Sequence, residues 1–190
     1  MQKFREQAPS RTCKESFADY RRYKEFLQAD FNHRCGYTNV SDTWLGGKNA
    51  FHIDHFIPWK KHPHEPSLKT DYSNLVYCCS YVNILKSNDE GDYLDPCDND
   101  LNEHFYRDEL GYIHPREHST QALYMHSKLQ LGMARYAVIW SLSAIKEKME
   151  NLRAAIDALP DGEKKDKALQ LMGELAMDFL DYLKYLSLEQ

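Results

Sequence analysis

Asp54 and His55 stand next to each other in FHIDHFIP, an otherwise apolar run from Phe51 to Pro58. Ionisable groups are costly to bury unpaired, so their place there calls for partners elsewhere in the chain. Asn74, Asn83 and Lys86 follow at intervals that a hairpin and a short helix could fold together. Asp54 and Asn83 offer two hard oxygen donors, which suit Mg²⁺ or Mn²⁺ better than Zn²⁺. A neutral imidazole at His55 is a general base for water near neutral pH. Asn74 could hold that ring through its amide. Lys86 lies three residues beyond Asn83, on the same helical face, and could meet a phosphate. His52 alternates away from His55 and reads as a supporting residue outside the reacting set. These parts fit hydrolysis of a phosphodiester assisted by one divalent ion.

Those side chains need particular elements beneath them. Phe51–Ile57 reads as a short strand, and Asn74–Cys79 (NLVYCC) as a second. Between them, PWKKHPHEPSLKTDY must be loop, and long ordered loops commonly carry function. Its Lys60, Lys61 and Lys69 are either a solvated face or contacts to a nucleic-acid backbone. Trp59 reads as an anchor for that loop. Ser80 could cap a short helix, SYVNILKS. Strict strand alternation would part Asp54 from His55, so both can serve one site only where the strand ends. Ahead of this core, a helix is expected from about Ser16, as cap, to Asn32.

The remaining sequence is of a different kind. Residues 91–118 are acidic and rich in turn formers, and read as an irregular connection. Leu142, Ile145, Met149, Leu152, Ile156 and Leu159 recur at alternating spacings of 3 and 4. Ala168, Met172, Leu175, Phe179, Tyr182 and Leu186 repeat the pattern beyond Pro160-Asp161-Gly162, which predicts an antiparallel helical hairpin within 119–190. Leu171, Leu180 and Leu183 widen its apolar face and suggest a subunit contact.

Composition bounds the rest. The 190 residues are 42% hydrophobic, which excludes a disordered chain. No apolar run reaches the roughly 18 residues of a membrane span. The N-terminal MQKFREQAPS lacks the apolar stretch of a secretory signal. Five cysteines, an odd number without framework spacing, suggest a reduced cytoplasmic protein. The net charge of −5 is uneven, with +2 over residues 1–90 (13 Lys/Arg, 11 Asp/Glu) and −7 over 91–190 (11 and 18). The basic share falls on the half that holds the candidate site.

FHIDHFIP, YSNLVYCC and NILKSN together resemble the signature of HNH endonucleases, whose ββα-metal core is shared by colicins, homing nucleases and restriction nucleases. The resemblance runs from about Arg34 to Asn88. It implies an α+β protein, with a ββα-metal core at 34–90 embedded in helices, an N-terminal helical segment at 1–33 and the C-terminal hairpin. It also implies that Asp54 and Asn83 bind metal, that His55 is the base, that Asn74 orients it, and that cleavage leaves 5′-phosphate and 3′-hydroxyl ends. Many members carry two Cys-x-x-Cys pairs around a structural Zn²⁺. Here Cys35 and Cys79 fill the first positions of those pairs and Thr38 and Val82 the second, so no structural zinc is expected. The order of core, acidic connection and a helix containing KLQLGMARY is similar to small HNH proteins of Septu-type and retron-linked anti-phage systems. That likeness implies an SMC-like ATPase as a candidate partner for the helical half. The expected activity is that of a metal-dependent endonuclease on nucleic acid, with DNA preferred. The alternative is a non-catalytic binding module on the same core.

Overall fold

Phe51–His55 (β2) and Leu75–Cys79 (β3) pair antiparallel, with Asp54 opposite Val76 and His55 opposite Leu75. The computed structural model describes residues 1–188, so the last two residues of the expected hairpin lie outside the described residues. All five residues of β3 are buried, which explains why LVYCC is apolar throughout rather than alternating. β2 stops at His55, two residues short of the expected end. The Phe56 N–H still reaches the Asn74 carbonyl, 2.8 Å away, before the chain turns off.

Ser80–Lys86 (α2) follows β3 without a linker. Cys79, not Ser80, occupies the cap position, and it makes no side-chain capping bond. Ser87, at φ 49°, ends the helix. The expected loop between the strands is an ordered chain of three single-turn 3₁₀ segments at Trp59–Lys61, Pro66–Lys69 and Tyr72–Asn74.

The N-terminal helix is shorter than expected. A 3₁₀ turn at Tyr20–Tyr23 leads into Lys24–Asp30 (α1), and Asp19 takes the capping role assigned to Ser16 by accepting from the Arg21 N–H. Residues ahead of it form no helix and are tied down by two arginines. Arg11 makes a two-pronged pair with Asp95, at 2.8 and 3.1 Å, and Arg5 donates to the Pro96 and Asn99 carbonyls.

The connection at 91–118 is more regular than its composition suggested. Phe105–Arg107 (β4) pairs with Ile113–Pro115 (β5) and with Gln2–Lys3 (β1) in a three-stranded antiparallel sheet. Arg107, almost wholly buried, donates to the carbonyls of Phe4, Gly111 and Thr38. Long-range pairing of this kind leaves little local trace in sequence.

Around the hairpin, Leu27, Phe51, Leu75, Tyr77 and Val82 are fully buried. Each such aliphatic or aromatic side chain contributes roughly 1.5–3 kcal/mol. Gly36 is fixed by close approach, since a Cβ there would lie 2.8 Å from the Phe31 ring and 2.9 Å from Val76.

The chain divides into two compact units, residues 1–133 and 134–190. The first also contains Thr120–Lys128 (α3), a helix that the sequence reading grouped with the hairpin. In the second, Ala134–Ala158 (α4) and Glu163–Leu188 (α5) pack together as the expected antiparallel pair, joined through Pro160-Asp161-Gly162. No helix among the described residues is long and apolar enough to cross a membrane.

Candidate active site

Asp54, His55 and Asn83 open into one cavity of about 400 Å³, whose other walls include Tyr20, Trp59, Lys60 and Ser87. Asp54 comes from β2, His55 from its last residue and Asn83 from the middle of α2. The ending of β2 at His55 lets two consecutive residues reach one space, as the alternation argument required.

Asp54 is only 3% exposed and its partners are defined. Its Oδ2 accepts from the Tyr37 hydroxyl at 2.7 Å and lies 3.0 Å from the Lys86 Nζ, while Oδ1 is 3.3 Å from the same ammonium. Lys86 is completely buried, and its other donors go to the carbonyls of His55 (3.0 Å) and Phe56 (3.1 Å). All three ammonium hydrogens therefore have acceptors. Burial pushes the Asp54 carboxyl above its ordinary range, with Lys86 and Tyr37 pulling against it. The phosphate contact expected of Lys86 does not fit this position. Its ammonium is turned into the protein, where it neutralises Asp54.

His55 is held by the backbone. Its Nε2 lies 3.0 Å from the Lys69 carbonyl oxygen, which can only accept, so Nε2 carries the hydrogen and Nδ1 the lone pair. The ring also meets the edge of Tyr20, with centroids 4.7 Å apart, and Trp59 at 6.2 Å. Burial lowers the affinity of His55 for a second proton, and Lys86, Lys69 and Lys60 lower it further against the Lys69 carbonyl. The imidazole is thus neutral near pH 7, as a general base must be.

Asn74 does not touch the His55 ring. Its amide oxygen accepts from the Ile57 N–H at 2.8 Å, and its nitrogen donates to the Ile57 and Leu68 carbonyls at 3.0 and 2.8 Å. It clamps both ends of the 3₁₀ loop, beside the Lys69 carbonyl that holds His55. Any influence on the imidazole passes through that backbone. His52 is exposed, and its Nδ1 lies 3.2 Å from the Asn83 Nδ2, a supporting contact from the neighbouring strand position. The Asn83 Oδ1 lies 3.9 Å from the Cys78 thiol, a weak donor.

The loop lysines differ from one another. Lys60 lines the cavity. Lys61 pairs with Glu90 at 3.2 Å. The Lys69 ammonium lies 4.9 Å from the Trp59 ring centre. Trp59, expected from sequence as a loop anchor, is half-buried and serves as a cavity wall and a cation platform.

Asp54 and Asn83 line one cavity with no cysteine beside them, and a carboxylate and an amide are the donor types of a hard divalent ion. Among the described residues no group of three or more His, Cys, Asp or Glu could hold a metal, so protein ligands would fill only part of its coordination. Cys35 and Cys79 are buried free thiols in contact with each other. The Thr38 hydroxyl takes part in that contact, and Val82 contributes a backbone donor to Cys79 but no metal-binding side chain. Sequence reasoning missed Tyr37 and Tyr20. The first lies beside Cys35 in a stretch read only for zinc ligands; the second belongs to YRRYK, whose mixture of bases and aromatics was a signal left unused.

Two strands, an ordered loop and a crossing helix around one polar cavity define a ββα unit. Residues 33–89, about a third of the α+β protein, match the family model described as HNH endonuclease. No curated protein and no solved structure matches the chain.

Proposed function

We propose that the protein is a metal-dependent endonuclease that hydrolyses phosphodiester bonds of DNA. The observation that carries this reading is the His55 imidazole, neutral and fixed through Nε2, lining one cavity with Asp54 and Asn83. His55 takes a proton from water at Nδ1 as the water oxygen attacks phosphorus. The bond from phosphorus to the 3′ oxygen breaks, that oxygen gains a proton from solvent, and the ends left are a 5′-phosphate and a 3′-hydroxyl. Asp54 and Asn83 would hold one Mg²⁺ or Mn²⁺, which supplies charge stabilisation to the phosphoryl oxygens and the departing oxygen. Asn74 positions the base by clamping its loop, and Lys60 steers the backbone toward the cavity. Plasmid DNA incubated with the protein should be nicked or linearised with Mg²⁺ or Mn²⁺ and spared with EDTA. DNA left intact across both metals would defeat the reading.

One observation favours the second reading, a non-catalytic module. Lys86 already neutralises the single carboxylate of the site. DNA binding that is insensitive to metal, with no cleavage, would support that alternative.

The helical pair supports a docking role. Leu171 and Leu180 on α5 are 47% and 50% exposed, as a surface awaiting a partner would be. We assign that surface to an SMC-like ATPase in anti-phage defence. Co-purification of the two proteins, lost on changing Leu171 and Leu180 to Glu, tests the assignment; retention of the complex would contradict it.

A further inference from the structure

The active-site cavity continues into a second one of about 340 Å³, and Tyr20, Ile53 and Asn83 line both. The second is walled further by Arg21, Lys24 and His52, and no carboxylate lines it. Three of these residues come from Tyr20–Lys24, which lies outside the HNH-matched residues 33–89.

Local structure explains how this segment faces the groove. The Asp19 carboxylate caps the 3₁₀ turn through the Arg21 N–H. Tyr23 turns inward and is 2% exposed, while Tyr20 is left against the His55 ring. Arg22 stacks elsewhere, with its guanidinium 4.3 Å from the Phe17 ring centre. Arg21 has a loose, exposed ion-pair neighbour in Asp19, at 3.8 Å, and its guanidinium lies 5.5 Å from the Tyr20 ring centre. Burial lowers the Lys24 ammonium from its usual range, Lys48 adds to that, and Glu25, which pairs with Lys48, opposes it only in part. An anionic strand along this wall would meet two cations and no carboxylate.

Resting on the nuclease reading, we infer that Tyr20, Arg21 and Lys24 form a second nucleic-acid subsite in the cavity next to the catalytic one. The DNA strand whose scissile phosphate lies at His55 runs past Tyr20, whose ring contacts the flanking nucleotide. Arg21 and Lys24 each hold one of the neighbouring phosphates. Basic residues alternating with aromatic platforms are the pattern by which proteins track a nucleic-acid strand. The subsite gives the groove a direction that the HNH segment alone does not supply.

The test is fluorescence anisotropy with a fluorescein-labelled DNA duplex, in a His55→Ala background that binds without cutting. Binding is followed from 50 to 200 mM salt. Each lost phosphate contact should reduce the slope of log affinity against log salt by about 0.9. Arg21→Gln with Lys24→Gln should therefore flatten the slope by about 1.8 and weaken binding at least ~10-fold at low salt, with an unchanged melting temperature. Arg21→Lys should keep most of the slope. An unchanged slope in the double variant overturns the subsite. Absence of binding by the background protein overturns it as well. Binding with a flattened slope, while the unmodified protein fails to cut under Mg²⁺, upholds the subsite and counts against the nuclease reading alone.

Discussion

The Lys86 ammonium lies 3.0 Å from the Asp54 carboxylate, and both side chains are withdrawn from solvent. A site with a net charge near zero attracts a divalent ion weakly until a phosphate adds its own charge. On the proposed metal-binding reading, the pair would make cation binding depend on substrate. Breaking a buried pair by removing one partner leaves an uncompensated charge and costs about 3–5 kcal/mol. Lys86→Met should lower the melting temperature sharply in EDTA, and Mn²⁺ should restore part of the loss while leaving the wild-type melting temperature nearly unmoved. Equal responses of both proteins to Mn²⁺ would contradict this account.

Tyr37 holds the same carboxylate through its hydroxyl, at 2.7 Å. Burial first, and Asp54 second, keep that phenol protonated far above its ordinary range, so it remains a donor. Tyr37→Phe removes the bond without opening much space. Hydrogen bonds to charged groups contribute about 1.5–3 kcal/mol, and chemical denaturation should report a loss of that size. A neutral substitution would mean that the hydroxyl does not support Asp54.

Asn74 predicts a split between binding and turnover. Its three hydrogen bonds close the loop, and none reaches the cavity. Asn74→Ala should lower kcat on the order of 100-fold, as misplacement of a reacting group by about 1 Å does, with little change in KM. A change in KM alone would assign Asn74 to substrate binding.

Asp30 governs stability in acid. Burial would raise its carboxyl, but the hydroxyl and N–H of Thr12 and the Tyr72 hydroxyl outweigh burial and hold it below the ordinary range. A carboxyl depressed in the folded state stabilises above its unfolded pKa of about 3.9, and the contribution fades as pH falls through the lower folded value. Urea unfolding from pH 6 to pH 3 should show the wild type losing more stability than Asp30→Asn. Parallel pH curves would refute the linkage.

The central motif was legible because its chemistry is local. Asp54-His55, the ending strand and the helix carrying Asn83 each leave a mark of type or spacing, and the cavity brings these three together. The helical pair was legible from its apolar repeat. What lay hidden depends on distant partners. The sheet of β1, β4 and β5 joins residues about a hundred positions apart, and short paired strands have no period of their own. Lys86 looked like a phosphate ligand because sequence gives the face of a helix but not the depth at which that face is buried. Asn74 was placed one step too near the imidazole for a similar reason: the intervening bond belongs to the Lys69 backbone, which has no side-chain signature.

The most direct measurement is single-turnover cleavage of a DNA duplex by the wild type and by His55→Ala, at equal Mg²⁺ and with matched melting temperatures. Loss of the positioned base should slow cleavage by about 10²–10⁴-fold while DNA affinity persists. Cleavage by His55→Ala at the wild-type rate would contradict the account.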